Sequence, residues 1–442
     1  MKTIIFFMAA GFILSQPAEA SAQLAQARLP SVSFSPRVTA TIPRAAMPAA
    51  GVPQGDLTVQ DWVKRPEMLG DWGGLRTKLR ARGTTVQAYW TQFFQSAPES
   101  QDTRGWDYGG KLDFKVNQDF TNMGVEGLTG TAHVEFRYGD TPLFGGGTLM
   151  PTNAALLFPE NEGAHARISS LYVSKTLGTN ALIEAGRFDM VDRYVKPFSG
   201  GEGIDKFTNL AFVFPPLTGR TTPHIAEGVF FTALRNAAPL VTVGLYESTE
   251  EGFFKNGATF MASVNLPLKL FETPGHYVFT TTASSTVATS LDQTWYALIP
   301  AFNTPLVAEN NAWTFDFTFD QYLWWDPATK TGFGLFGMIG ASDSNPSTFD
   351  IFGHVGVQGN SPIPNRSVDS FGAAYYFGGV SNTLQETLLP LIRLRDENGF
   401  EAYYNYAVTG WSNVSAHFQF IDPFVVGSKT RGFFTIRWKL TF

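Results

Sequence analysis

The chain has 442 residues, a formal net charge of −6 and no cysteine; 16% of its residues are charged and 14% aromatic. The acidic balance speaks against the clustered basic face that a nucleic-acid partner requires, and the missing cysteines exclude a disulfide framework and a thiolate metal site. A soluble domain rarely pairs so little charge with 40 phenylalanines and 43 glycines.

Residues 1–22 read as a secretory signal peptide. Lys2 supplies the positive start, Ile4 to Leu14 an apolar run too short to span a bilayer, and Ala18, Ala20 and Ala22 the small residues for cleavage after Ala20 or Ala22. Residues 23–55 are rich in Ala and Pro and read as a flexible linker. The domain of interest is then 56–442. A short helix is expected near 71–82: Leu75 and Leu79 lie one turn apart, Asp71 can cap the start, and Gly83 stands where a glycine ends a helix.

From residue 84 the period becomes two. Leu112, Phe114 and Val116 alternate with Asp113, Lys115 and Asn117. Ala132, Val134, Phe136 and Tyr138 alternate with His133, Glu135, Arg137 and Gly139. Trp313, Phe315, Phe317 and Phe319 alternate with Thr314, Asp316, Thr318 and Asp320. At the end, Phe434, Ile436, Trp438, Leu440 and Phe442 alternate with Thr435, Arg437, Lys439 and Thr441. Strand side chains point alternately to opposite faces, so each strand has one oily and one wet face.

No later run of about 20 apolar residues offers a helical span. An exported chain of this pattern is either a soluble β-protein or a closed membrane barrel. Large rings would crowd a sandwich core but not a lipid-facing surface, and the charged opposite faces suit a water-filled lumen. At about 24 residues per strand, 56–442 supplies about 16 strands, wide enough for an aqueous channel. The expected fold is all-β: a transmembrane antiparallel β-barrel with a short N-terminal helix. Three stretches rich in Gly and Pro, 140–165, 190–224 and 342–365, show no period; one or two of them folded inward would narrow the pore.

Several pieces together resemble the carbohydrate-selective porin (OprB) family of Gram-negative outer membranes. One is Gly70-Asp71-Trp72-Gly73-Gly74 with Arg76, Leu79 and Gly83. Another is Ala185-Gly186-Arg187-Phe188 followed by Asn209-Leu210-Ala211-Phe212. The third is Glu401, Tyr403 and Tyr404, then Gly410-Trp411, Gln419-Phe420-Ile421 and Pro423. The resemblance spans about 56–442. It implies a 16-stranded barrel that passes sugars by diffusion, with arginines and acidic residues at the constriction; Arg137 falls where the family has a constriction arginine, and Glu135 shares its strand face. The Ala/Pro tract at 23–55 is not a general feature of that family. The final strand and its terminal Phe442 also resemble the signal by which barrel-assembly machinery recognises its clients.

A sugar pore needs donors and acceptors that replace lost water without holding the solute tightly. The candidate lumen groups are Arg137, Glu135, Asp113, Lys115, Glu184 and Arg187. Strict alternation puts Arg187 opposite Glu184, so a bulge or the strand end must turn it inward. Arg437 and Lys439 read as wall charges near a barrel end. No cofactor, catalytic residue or metal ligand is expected. The expected partners are mono- or oligosaccharides, outer-membrane lipid and the barrel-assembly machinery, with a monomer or a homotrimer as the assembly.

Three rival readings stay open. A pore for organic acids or ions has the same architecture. A barrel hydrolase needs a positioned nucleophile and base, and Ser415 and His417 share one strand face. A soluble exported sugar-binding β-protein needs no lipid and no detergent.

Overall fold

A computed structural model describes residues 59–96, 105–139, 147–157, 165–194, 196–250, 254–270, 272–298 and 304–442. The expected signal peptide and linker lie outside them. Among the described residues, sixteen strands follow two short helices, α1 (Val59–Lys64) and α2 (Leu75–Ala81). They are β1 (Thr84–Ser96), β2 (Asp107–Asp119), β3 (Leu128–Gly139), β4 (His165–Leu177), β5 (Ala181–Asp189), β6 (Ile225–Arg235), β7 (Ala238–Glu247) and β8 (Ala258–Leu270). The second half comprises β9 (Thr273–Thr289), β10 (Ala308–Asp326), β11 (Thr331–Ser342), β12 (Phe349–Asn360), β13 (Ser370–Val380), β14 (Glu397–Ala407), β15 (Ser412–Asp422) and β16 (Arg431–Thr441).

Each strand pairs antiparallel with its neighbours in sequence, and β16 returns to β1, from Tyr89 opposite Thr441 to Ser96 opposite Phe434. Closure leaves no sheet edge unpaired, the condition for crossing lipid with strands. No helix among the described residues is long and apolar enough to cross a membrane. The expected alternation holds on β2, β3, β10 and β16. Leu112, Phe114, Trp313, Phe315 and Trp438 are exposed outside, whereas Asp113, Glu135, Asp316 and Arg437 are buried inside.

Two expectations need correction. The stretch 342–365 is not one long loop, because it contains β12. That strand carries Ile351 and Val355 outward, Phe352 and His354 inward, and glycines at 353, 356 and 359. With apolar residues on both faces it shows no alternation, so a period-two reading misses it. Asp71 is not the N-cap residue of α2, although it satisfies an N–H of the helix's first turn from outside it. Its carboxylate accepts from Thr77 N and Thr77 Oγ1 at 2.8 and 2.9 Å, and Gly74, at φ +92, stands at the helix start. Gly83 follows α2 at φ +88, as its position in the sequence suggests.

The N-terminal segment is fastened to the end of the chain. Met68 N donates to Thr441 O at 2.8 Å. Buried Arg76 donates through Nη2 to Phe442 O at 2.8 Å and through Nη1 to Gly70 O at 3.0 Å, and it stacks 4.4 Å from the Trp72 ring. The helix therefore sits on the rim where the short hairpin turns lie, the periplasmic rim of bacterial barrels.

Candidate constriction site

The segment 190–224, between β5 and β6, folds into the barrel. It begins with α3 (Met190–Arg193), whose start is capped by Asp189 accepting from Val191 N and Asp192 N at 2.9 and 3.0 Å. It continues through α4 (Leu210–Val213) and a 3-10 turn at Pro216–Arg220. A second inward piece, 147–157, lies against it, with Ala154 N donating to Thr208 O and Leu210 N to Pro151 O.

The two sides of the lumen hold this loop by different means. On the β2–β3 side the contact is charged. Lys111 Nζ lies 3.3 Å from both Asp113 and Glu202 and also pairs with Glu135; Lys115 Nζ lies 2.7 Å from Asp192 and 2.6 Å from Glu202. His133 bridges Asp113 and Asp192 at 3.1 and 2.7 Å. Asp113, Glu135, Glu202 and His133 bring possible ligand atoms within 4.8 Å of one another. The Lys111 ammonium already lies against all three carboxylates, so an amine takes the place of a cation there.

Asp192 and Glu202 sit on the loop, outside the spanning strands. Burial and the neighbouring Asp192 charge push the Glu202 carboxyl up to about 8, against the pull of Lys115 and Lys111. Burial opposes ionisation of Asp192 as well, but Lys115 and His133 hold its carboxyl well below the usual range.

On the β11–β16 side the contact is apolar, with polar pins. Phe198, Phe207, Ala211, Phe212 and Leu217 of the loop pack on Phe336, Met338, Phe352, Ala374, Tyr376 and Tyr403 of the wall. Glu397 accepts from Leu149 N and Met150 N at 2.6 and 2.9 Å. Glu401 accepts from Thr208 N and Asn209 N, both at 2.8 Å. Gln419 donates to Thr152 O at 2.8 Å and accepts from Asn209 Nδ2 at 3.0 Å. Motif pieces some 200 residues apart, Asn209 in one and Glu401 and Gln419 in another, thus meet in a single joint. A third wall, on β5–β8, buries Phe188, Phe230, Tyr246 and Met261 against Met190, Val191, Leu210 and Phe214.

The expected lumen residues distribute as follows. Asp113, Lys115 and Glu135 face inward but are buried beneath the loop. Glu184 also faces inward and pairs with Arg193 at 2.5 Å. Arg137 faces inward and donates to the Leu156 carbonyl of the second inward piece. Arg187 does not turn inward. It shares the outer face with exposed Leu171 and Val229 and pairs with Glu227 at 3.2 Å. No bulge interrupts β5 beside it, so alternation prevails. Sequence reasoning missed Asp192, Glu202 and Asp205 because they lie in an aperiodic segment, where spacing carries no orientation.

Ser415 and His417 are joined by a third group. Ser415 Oγ lies 2.9 Å from His417 Nε2, and His417 Nδ1 lies 2.8 Å from Glu401. All three are buried, and Glu401 is already committed to the loop backbone. This relay braces the joint, and no solute reaches the serine.

The profile of the carbohydrate-selective porin, OprB family, matches residues 101–423. No curated protein matches the chain. Among solved structures, the high-pH structure of Pseudomonas putida OprB superposes with a TM-score of 0.74 at 17% identity, covering 86% of this chain and 99% of that one. The low-pH structure of the same protein gives 0.56 at 15% identity with the same coverage. At these identities the likeness concerns the fold.

Proposed function

The chain belongs to the carbohydrate-selective porin (OprB) family of the outer membrane, a family of non-enzymatic channels, and on that premise we propose that mono- or oligosaccharides diffuse through it past a constriction built by the inward loop 190–224. The observation that carries this reading is the double anchoring of that loop. A charged knot on β2–β3 and a set of carboxylate and amide pins on β14–β15 hold it across the lumen. A segment held on both sides sets a fixed aperture instead of a swinging lid. Selectivity then comes from the groups along that aperture.

Asp113, Lys115 and Glu135 act as the loop's counter-charges, and Arg137 supports the second inward piece through Leu156. Their role is to shape the aperture without touching the solute. A fixed aperture of mixed charge suits a neutral polyol, whose hydroxyls donate and accept, and the contacts must stay weak for the solute to leave.

Purified protein in a planar bilayer tests this reading. Ionic current should be blocked reversibly and in a titratable way by mono- or disaccharides. Block by anionic metabolites alone would move the assignment to an acid or ion pore.

A further inference from the structure

Asp205 lies on the inward loop, within the barrel, yet 53% of its side chain is open. A side chain enclosed by barrel wall can be so open only where it borders water. The aqueous path therefore runs past Asp205. Its direction is set by its neighbours. Arg437 Nη1 donates to Gly203 O at 2.9 Å and to Lys206 O at 2.7 Å, gripping the turn on both sides of Asp205. Gly203 has φ +75, and a Cβ there would come 3.0 Å from Ala155 N, so a side chain at that position would be both strained and tightly packed.

The partner of Asp205 is Lys439, on the inner face of β16. Its Nζ lies 2.5 Å from Asp205 Oδ1 and 4.3 Å from the centroid of the Tyr89 ring. The ammonium is thus held between a carboxylate and an aromatic face. Enclosure by the barrel wall disfavours the Asp205 carboxylate, but the charge and hydrogen bond of Lys439 hold its carboxyl below the usual range. The carboxylate and the ammonium thus face each other as a pair balanced in charge.

Resting on the sugar-pore reading, we propose that the Asp205–Lys439 pair is a binding subsite that selects neutral, hydroxyl-rich solutes. A solute hydroxyl can donate to the open Asp205 carboxylate, while Lys439, buried behind it, balances that charge from the wall. A small ion gains from one partner what it loses to the other. The pair therefore favours polyols and leaves ions undiscriminated. This moves selectivity from the neighbourhood of Arg137 to the last strand.

The test uses full-length protein in planar bilayers under a KCl gradient, with glucose as the sugar probe. Asp205→Asn should raise the anion-to-cation permeability ratio about fivefold, and Lys439→Gln should lower it by a similar factor, as expected for one unit charge acting across about 4 Å of water. Both should weaken glucose block. The charge swap, Asp205→Lys with Lys439→Asp, should return the permeability ratio toward that of the parent and guards against a simple folding defect. Open channels whose ratio is unchanged in both single variants would overturn the subsite. Parent channels that conduct ions but show no sugar block would instead overturn the sugar-pore reading beneath it.

Discussion

Glu401 shows how one buried carboxylate can hold a loop. Its two oxygens accept from Thr208 N, Thr208 Oγ1, Asn209 N and His417 Nδ1 at 2.8–2.9 Å. A buried charge is costly unless hydrogen-bonded on all sides, and here it is. Glu401→Gln would set an amide donor against at least one of these donors. A hydrogen bond to a charged group contributes about 1.5–3 kcal/mol, so the loop should open about 30-fold more often for a loss near 2 kcal/mol. Trypsin cleavage after Lys206 in the detergent-solubilised barrel reads this; equal cleavage rates in parent and variant would contradict it. None of this could be read from position 401 alone. Glu401 entered only as part of a resembling string, and the loop donors that meet it come from residues some 190 positions earlier.

At the level of elements, the inward loop carries a pH dependence through Glu202. In the docked loop its carboxyl is raised to about 8 by burial and by Asp192, with Lys111 and Lys115 opposing, whereas its ordinary value is 4.5. The docked form thus binds the proton more tightly than the undocked form. Stability from this group is fully present below about 4.5 and is lost as pH rises through about 8. Single-channel current noise from loop motion should therefore grow between pH 5 and pH 8.5. In Glu202→Gln the group cannot ionise, and the rise should be absent; a persistent rise would place the titration elsewhere. The strands beneath the loop explain why it is so hard to foresee. β12 and its neighbours are apolar on both faces because one face meets lipid and the other meets Phe207, Phe212 and Leu217. A sequence pattern reports the polarity of a face, not what covers it.

The whole molecule is a ring closed by β1 and β16, with the N-terminal segment bolted across the end of the last strand. Arg76 is the bolt, bound to Phe442 O and Gly70 O and 3.2 Å from Glu67 while only 2% exposed. Arg76→Ala leaves these acceptors without their charged donor. Unheated protein on a denaturing gel should convert from the folded to the unfolded band at a lower temperature than the parent. An unchanged conversion temperature would show that the seam closes without this bolt.

Much of this was legible in the chain itself. Alternation, aromatic content and length predicted a lipid-facing barrel of about 16 strands, because a strand's period and the chemistry of lipid act locally on each residue. The GDWGG segment, the Asn209 piece and the Glu401–Gln419 piece carried the family resemblance for the same reason, as local strings. What only the tertiary structure decided was how the lumen is filled. Asp113, Lys115 and Glu135 are buried beneath a loop, Arg187 lies outside, and Asp205 stands open opposite Lys439. Those outcomes depend on where an aperiodic segment crosses a closed barrel. That path is chosen by many weak contacts with distant strands, and no spacing along the chain encodes it.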